Sequence, residues 1–186
     1  MPAVARTPRN RWIEAGLDAL VEGGPAAVRV ETLAARLGVT KGGFYGYFKG
    51  RAALLAEMLD AWELRCTREV PARADVEGAD AADRIRRVAH LTFSEDFHRI
   101  DLAVRAWARH DPAVAERLRR VDNARMDFLR ESFGAFLSDP EEVEARSILA
   151  FTLAIGRHFI VADHPGRTPR EAAALAGEHL LRPENP

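Results

Sequence analysis

The chain reads as all-α, and three observations predict it. Apolar residues recur at helical spacing over most of its length, capping residues followed by proline mark helix starts repeatedly, and strand-like alternation is scarce. Apolar residues make up 47% of the 186 and charged residues 30%. That suits one large domain, or a small domain attached to a larger one.

Thr7-Pro8 reads as an N-cap with proline at the first helical position, and Ile13, Leu17, Leu20 and Val21 continue at helical spacing to Gly23-Gly24-Pro25. A second short helix is expected from Val30 to Leu37, with Leu33, Ala34 and Leu37 on one face, Gly38 closing it and Thr40 capping the glycine-rich segment after it. From Arg51 a longer helix carries Leu54, Leu55, Met58, Leu59 and Trp62 in one stripe. It is expected to end before Pro71, where "PARADVEGAD" reads as a loop. Asp111-Pro112 opens a segment with Val114, Leu118, Val121, Leu129, Phe133 and Phe136 near one face. Asp139-Pro140-Glu141-Glu142 is a cap, a proline and a favourable acidic first turn, and Thr168-Pro169-Arg170-Glu171 has the form of a capping box.

From Ile148 to Ala162 the apolar residues surround the helix instead of forming a stripe, which calls for cover on nearly all sides. "EAAALAGEHLL" adds small residues that let another helix approach. A second copy of the chain is the expected cover, so the last two helices are expected to form a homodimer.

Charge is unevenly spread. Residues 1–51 hold 8 Lys and Arg against 4 Asp and Glu, while the rest hold 19 against 24, within a formal net charge of −1. A basic head on an acidic body points to a polyanion met by the head alone. Cys66 is the single cysteine, so no intrachain disulfide can form. "MPAVARTPRN" lacks a signal-peptide core and "ILAFTLAIG" is far short of a bilayer span, so a soluble cytoplasmic protein with no membrane partner is expected. No His-x3-His pair, Cys–His cluster, phosphate loop or nucleophile–base pair is present in the sequence. No metal, no cofactor and no enzymatic activity are therefore expected.

Function concentrates in "VETLAARLGVTKGGFYGYF", residues 30–48, which reads as helix, tight turn, helix. Leu33, Leu37, Val39, Phe44 and Phe48 would seal both helices against the first one, and Gly38 would permit the turn. The second helix of such a motif enters the major groove of DNA. Its start would offer amide groups and the positive dipole end, and Lys41, Tyr45, Tyr47, Lys49 and Arg51 would add donors. Gly42 and Gly43, without Cβ atoms, would let the backbone approach DNA closely; Gly46 has no such account.

These residues carry a resemblance. Residues from about 8 to 55, with "WIEAGLDALVEGG" and "VETLAARLGVTKGGFYGYFKGRAALL", resemble the DNA-binding domain of TetR-family transcriptional regulators. "RAWARHDPAVAERLRRVD" is also similar to a stretch in some members. The resemblance implies a helix-turn-helix domain over residues 1–51 and an effector-binding and dimerisation domain over 52–186. It implies DNA contacts from Arg29, Thr40, Lys41, Gly42, Gly43, Tyr45, Tyr47, Lys49 and Arg51. Arg29 stands where many members carry a capping threonine, and Gly43 where a serine or threonine supplies a contact. Thr40, Lys41 and Tyr45 are the residues expected to read bases. The resemblance also places an effector pocket among the middle helices, for which Trp62, His90, Phe93, Trp107, Met126, Phe151 and His158 are the candidates.

The expected function is a homodimeric, sequence-specific DNA-binding regulator, a repressor released by a small molecule from a palindromic operator. Two alternatives stand beside it. One is a ligand-independent DNA binder whose C-terminal domain only dimerises. The other is an all-α binding protein or enzyme in which the helix-turn-helix is packing.

Overall fold

A computed structural model describes residues 8–75, 80–92 and 95–182, the side chains of 92 and 95–97 excepted. Thr7 and Phe93 lie outside the described residues. The described residues are helical and contain no strand: α1 Arg9–Gly23, α2 Val30–Arg36, α3 Lys41–Tyr45, α4 Arg51–Leu64, α5 Val70–Ala74, α6 Ala81–Thr92, α7 Glu95–Ala108, α8 Pro112–Gly134, α9 Pro140–Gly156 and α10 Pro169–Leu180. They fall into two compact units. One holds the chain up to Cys66 together with 94–121, the other 67–93 together with the chain from Asp122 onward.

In the first unit, α1 packs on α2, α4 and α7, and α2 on α3. Trp12, Leu20, Val28, Leu33, Phe44, Phe48, Leu54 and Met58 form its sealed interior. Burying each large apolar side chain there contributes about 1.5–3 kcal/mol. α1 and α4 come close because Gly16 has no side chain: a Cβ at this position would sit 2.6 Å from Met58 Sδ. A buried polar contact ties α4 to α7. The Trp62 indole donates to Asp101 Oδ1 at 3.2 Å, and Arg105 Nε donates to Asp101 Oδ2 at 2.9 Å. The charge of a 2%-exposed carboxylate is thereby partnered.

In the second unit, Ile85 of α6, Met126, Leu129 and Phe133 of α8, Leu137 and Leu181 form the core, with Phe136 and Phe151 packed against it. Paired charges brace its rim. Arg86 of α6 donates from Nε and Nη2 to the Glu178 carboxylate of α10 at 2.8 and 2.9 Å, and Arg130 of α8 donates to Glu144 of α9 at 2.6 and 2.9 Å.

Capping chemistry predicts the helix starts well. Asp139 accepts from the Glu141 amide at 3.0 Å, and Asp111 from the Ala113 and Val114 amides at 3.0 and 3.3 Å. Thr168 and Glu171 form the reciprocal capping box.

Three expectations need correction. α1 begins at Arg9 with Pro8, not Thr7, in the N-cap position. The helix from Arg51 does not stop before Pro71; it widens into a π-helical segment at Arg65–Glu69 and continues as α5. Pro71 falls in the first turn of α5, where a missing N–H costs no internal hydrogen bond. The loop read from "PARADVEGAD" therefore starts only after Ala74. Finally, α9 ends at Gly156, not Ala162: the amides of His158 and Phe159 bond to Ile155 and Gly156 carbonyls three residues back, winding the last turn too tightly to propagate.

Candidate nucleic-acid interface

The site is built on the turn between α2 and α3. α2 ends in a Schellman motif. The Gly38 amide donates to the Ala35 carbonyl at 3.1 Å and the Val39 amide to the Ala34 carbonyl at 2.9 Å. Gly38 lies at φ +66°, a conformation costly for a residue with a side chain. Beyond the turn, Phe44 and Phe48 are buried and stack with centroids 5.1 Å apart, and Phe44 meets Trp12 edge-on at 5.4 Å. Such pairs add about 0.5–1.5 kcal/mol each to simple burial. They hold in place a helix too short to persist alone.

α3 is a helix of 5 residues. Thr40 occupies its N-cap position, but its hydroxyl makes no capping hydrogen bond. A helix this short sums few peptide dipoles, so the dipole contribution read from the sequence is small. Side chains and exposed backbone remain as the means of contact. Tyr45 is 61% exposed, its ring set edge-on against Phe44, and Lys41, Gly42 and Lys49 are exposed. Tyr47 is half-buried in the turn after α3.

The glycines now separate. A Cβ at Gly42 would meet only Thr40 Oγ1 at 3.6 Å, and one at Gly43 only Trp12 Cζ2 at 3.8 Å, both ordinary contacts. Nothing inside the fold requires glycine at either position, and both lie on the first turn of α3. Gly46 has φ −74° and ψ −13°, open to any residue. Backbone conformation does not explain it.

Two arginines serve the turn before α2. Arg51 Nε donates to the Val28 carbonyl at 2.7 Å and Nη2 to the Pro25 carbonyl, and Arg29 Nε donates to the Ala26 carbonyl at 3.2 Å. Arg51 thus fastens the start of α4 to the residue pair that leads into α2. Arg29 occupies the α2 N-cap position without capping it.

The sequence reading missed Glu31. Its carboxylate accepts from Lys41 Nζ at 2.7 Å, across the helix-turn-helix, and that hydrogen bond is the main reason its pKa falls below the ordinary value. Opposite charges at the first turns of two helices joined by a tight turn were a usable signal. Gly16 was the second omission, signalled by a glycine inside an otherwise strong helix.

The effector-pocket candidates are not gathered in one unit. Trp62, buried, and Trp107, half-buried, belong to the first unit. Met126 is buried in the core of the second, with Phe151 packed on that core and His90 and His158 exposed. Among the described residues, no group of three or more His, Cys, Asp or Glu side chains is placed to hold a metal ion, and no helix is long and apolar enough to cross a membrane.

An exposed, sealed helix-turn-helix on an all-α scaffold is the arrangement by which such motifs present a helix to DNA. Residues 13–58 match the family described as bacterial regulatory proteins, tetR family. No curated protein sequence matches the chain. Solved structures share the fold. A TetR-family transcriptional regulator from Streptomyces coelicolor superposes with a TM-score of 0.73 at 20% identity, covering 93% of each chain. A transcriptional regulator from Rhodococcus sp. Rha1 gives 0.72 at 20% identity over 94% of each. A protein from Saccharomonospora viridis, solved in complex with choline, gives 0.71 at 16% identity over 92% of each.

Proposed function

We propose that the protein is a homodimeric repressor, acting in the cytoplasm, that a small molecule releases from a palindromic operator. The observation that carries the DNA-reading part is the exposed face of α3. There Gly42 and Tyr45 stand clear of the fold and exposed Lys41 is held by Glu31, while Phe44 and Phe48 bind the helix to the core. Thr40, Lys41 and Tyr45 read bases, Gly42 and Gly43 allow close approach, and Arg29, Tyr47 and Lys49 hold phosphates. Arg51 enters as a positioning residue, because its guanidinium is committed to the carbonyls ahead of α2. In this reading the functional division falls at 51/52, between a reading head and a regulatory remainder.

Apolar side chains left open on α9 and α10 support the dimer: Ile148, Leu149 and Leu175 are each about half exposed. A monomer gains nothing from such a face, and a symmetric partner would bury it. The choline complex of the Saccharomonospora viridis protein supports a small-molecule site within this fold. Ligand binding releases DNA by favouring the state in which the two heads are wrongly spaced.

The test is an anisotropy titration of the full chain against the DNA upstream of its own gene and against a shuffled duplex of equal length. Preference for the upstream DNA of roughly a thousandfold or more at moderate salt supports the reading. Equal affinity for the two duplexes contradicts it.

A further inference from the structure

In the second unit, the end of α5 and the C-terminal half of α6 flank an open surface cavity of about 360 Å³ lined by Arg73, Arg86, Arg87, His90 and Leu91. That volume lies at the small end of small-molecule sites. We infer that this cavity binds a small organic anion, a carboxylate or phosphate head with a short apolar tail, as the releasing ligand. The inference rests on the reading of the chain as a ligand-released regulator and names the chemistry of the ligand.

The charge arrangement argues for it. Arg84 and Arg86, on the same helix, are both paired: Arg84 with Asp75 and Glu131, Arg86 with Asp83 and Glu178. Arg73, Arg87 and His90 have no carboxylate partner among the described residues, and all three are exposed around the cavity. On α8 and α9 of the same unit, Arg130 and Arg146 are paired with Glu144 and Glu142. The two-pronged contact to Glu178 fixes Arg86 as a wall. Arg73 and Arg87 offer planar forks suited to an oxyanion, and half-buried Leu91 offers apolar contact for the tail. Helix dipoles favour cations at the ends of α5 and α6, where Arg73 and His90 lie, but Arg87 stands further from the end of α6 and the dipole does not account for it.

Calorimetric titration of the full-length protein with octanoate and with octyl phosphate tests this, with octyltrimethylammonium and inorganic phosphate as controls. The expected result is saturable binding of one or both anionic amphiphiles and none of the cation. Octanoate alone or octyl phosphate alone identifies the head group. Arg73→Gln with Arg87→Gln weakens that binding roughly tenfold to a hundredfold. Arg73→Lys with Arg87→Lys keeps the charge but loses the forks, so its binding falls between that of the native protein and that of the glutamine pair, which guards against a folding artefact. Absence of saturable binding by either amphiphile, equal binding of the cation, or binding that survives the double glutamine change overturns the inference. A bound amphiphile that leaves operator affinity unchanged overturns ligand release instead, and the anion site stands on the titration alone.

Discussion

The α2–α3 head and the α9–α10 faces expose opposite chemistry. The head buries Phe44 and Phe48, leaves Tyr47 half-buried, and shows lysines, glycines and Tyr45 to solvent. α9 and α10 show aliphatic side chains instead, and beyond α9 Phe159, Ile160 and Val161 are exposed as well. A surface of the first kind suits a charged, hydrated partner whose contacts are exchanged for water. A surface of the second kind suits a partner that excludes water. One chain thus carries two unlike exposed surfaces, and each is open to separate damage.

The largest effect is expected from the aliphatic face. Leu149→Glu with Leu175→Glu should leave the helix content intact, halve the mass in sedimentation and weaken operator binding by roughly a hundredfold or more, since the second head no longer binds intramolecularly. A dimer that persists would detach dimerisation from this face. Inside the first unit, Asp101→Ala should cost about 3–5 kcal/mol in urea unfolding, because Arg105 loses its buried counter-charge and the Trp62 indole its acceptor.

Changes in the head should separate binding from stability. Lys41→Ala and Tyr45→Ala are each expected to cost about 1–3 kcal/mol in operator affinity while unfolding changes by less than about 0.5 kcal/mol. Gly38→Ala inverts that pattern: the left-handed turn should cost about 1–2 kcal/mol in stability. The subtlest test is Glu31→Gln. It frees Lys41 from its ion pair, so non-specific DNA affinity should rise at low salt and the slope of log K against log salt should steepen by about 0.9. In a non-specific complex, which offers no cognate base, the freed Lys41 turns to phosphate; an unchanged slope would mean that it does not.

How far this was legible in the sequence depends on the range of the interactions involved. The helix-turn-helix was legible because its determinants are local: Gly38 at the turn, and Phe44 and Phe48 four residues apart. The caps at Asp139 and Thr168 were legible for the same reason. The course of the chain past Leu64 was not, since a π segment placing Pro71 in a new first turn has no simple periodic signature. The extent of α9 was over-read because apolar composition continues past Gly156 while the hydrogen bonding does not. The Glu31–Lys41 pair and the Gly16–Met58 approach depend on how α2 meets α3 and how α1 meets α4, which spacing along one helix does not report. The pocket candidates were chosen by chemical type on the middle helices, and neither type nor order along the chain says which compact unit a side chain joins.

The most direct test of the central claim is selection of binding sites for the full-length protein from random duplex DNA. The account predicts enrichment of one palindrome whose half-sites are centred about one helical turn (about 34–36 Å) apart, lost with Lys41→Ala and Tyr45→Ala together. Enrichment of a single unpaired half-site, or of no sequence at all, would contradict it.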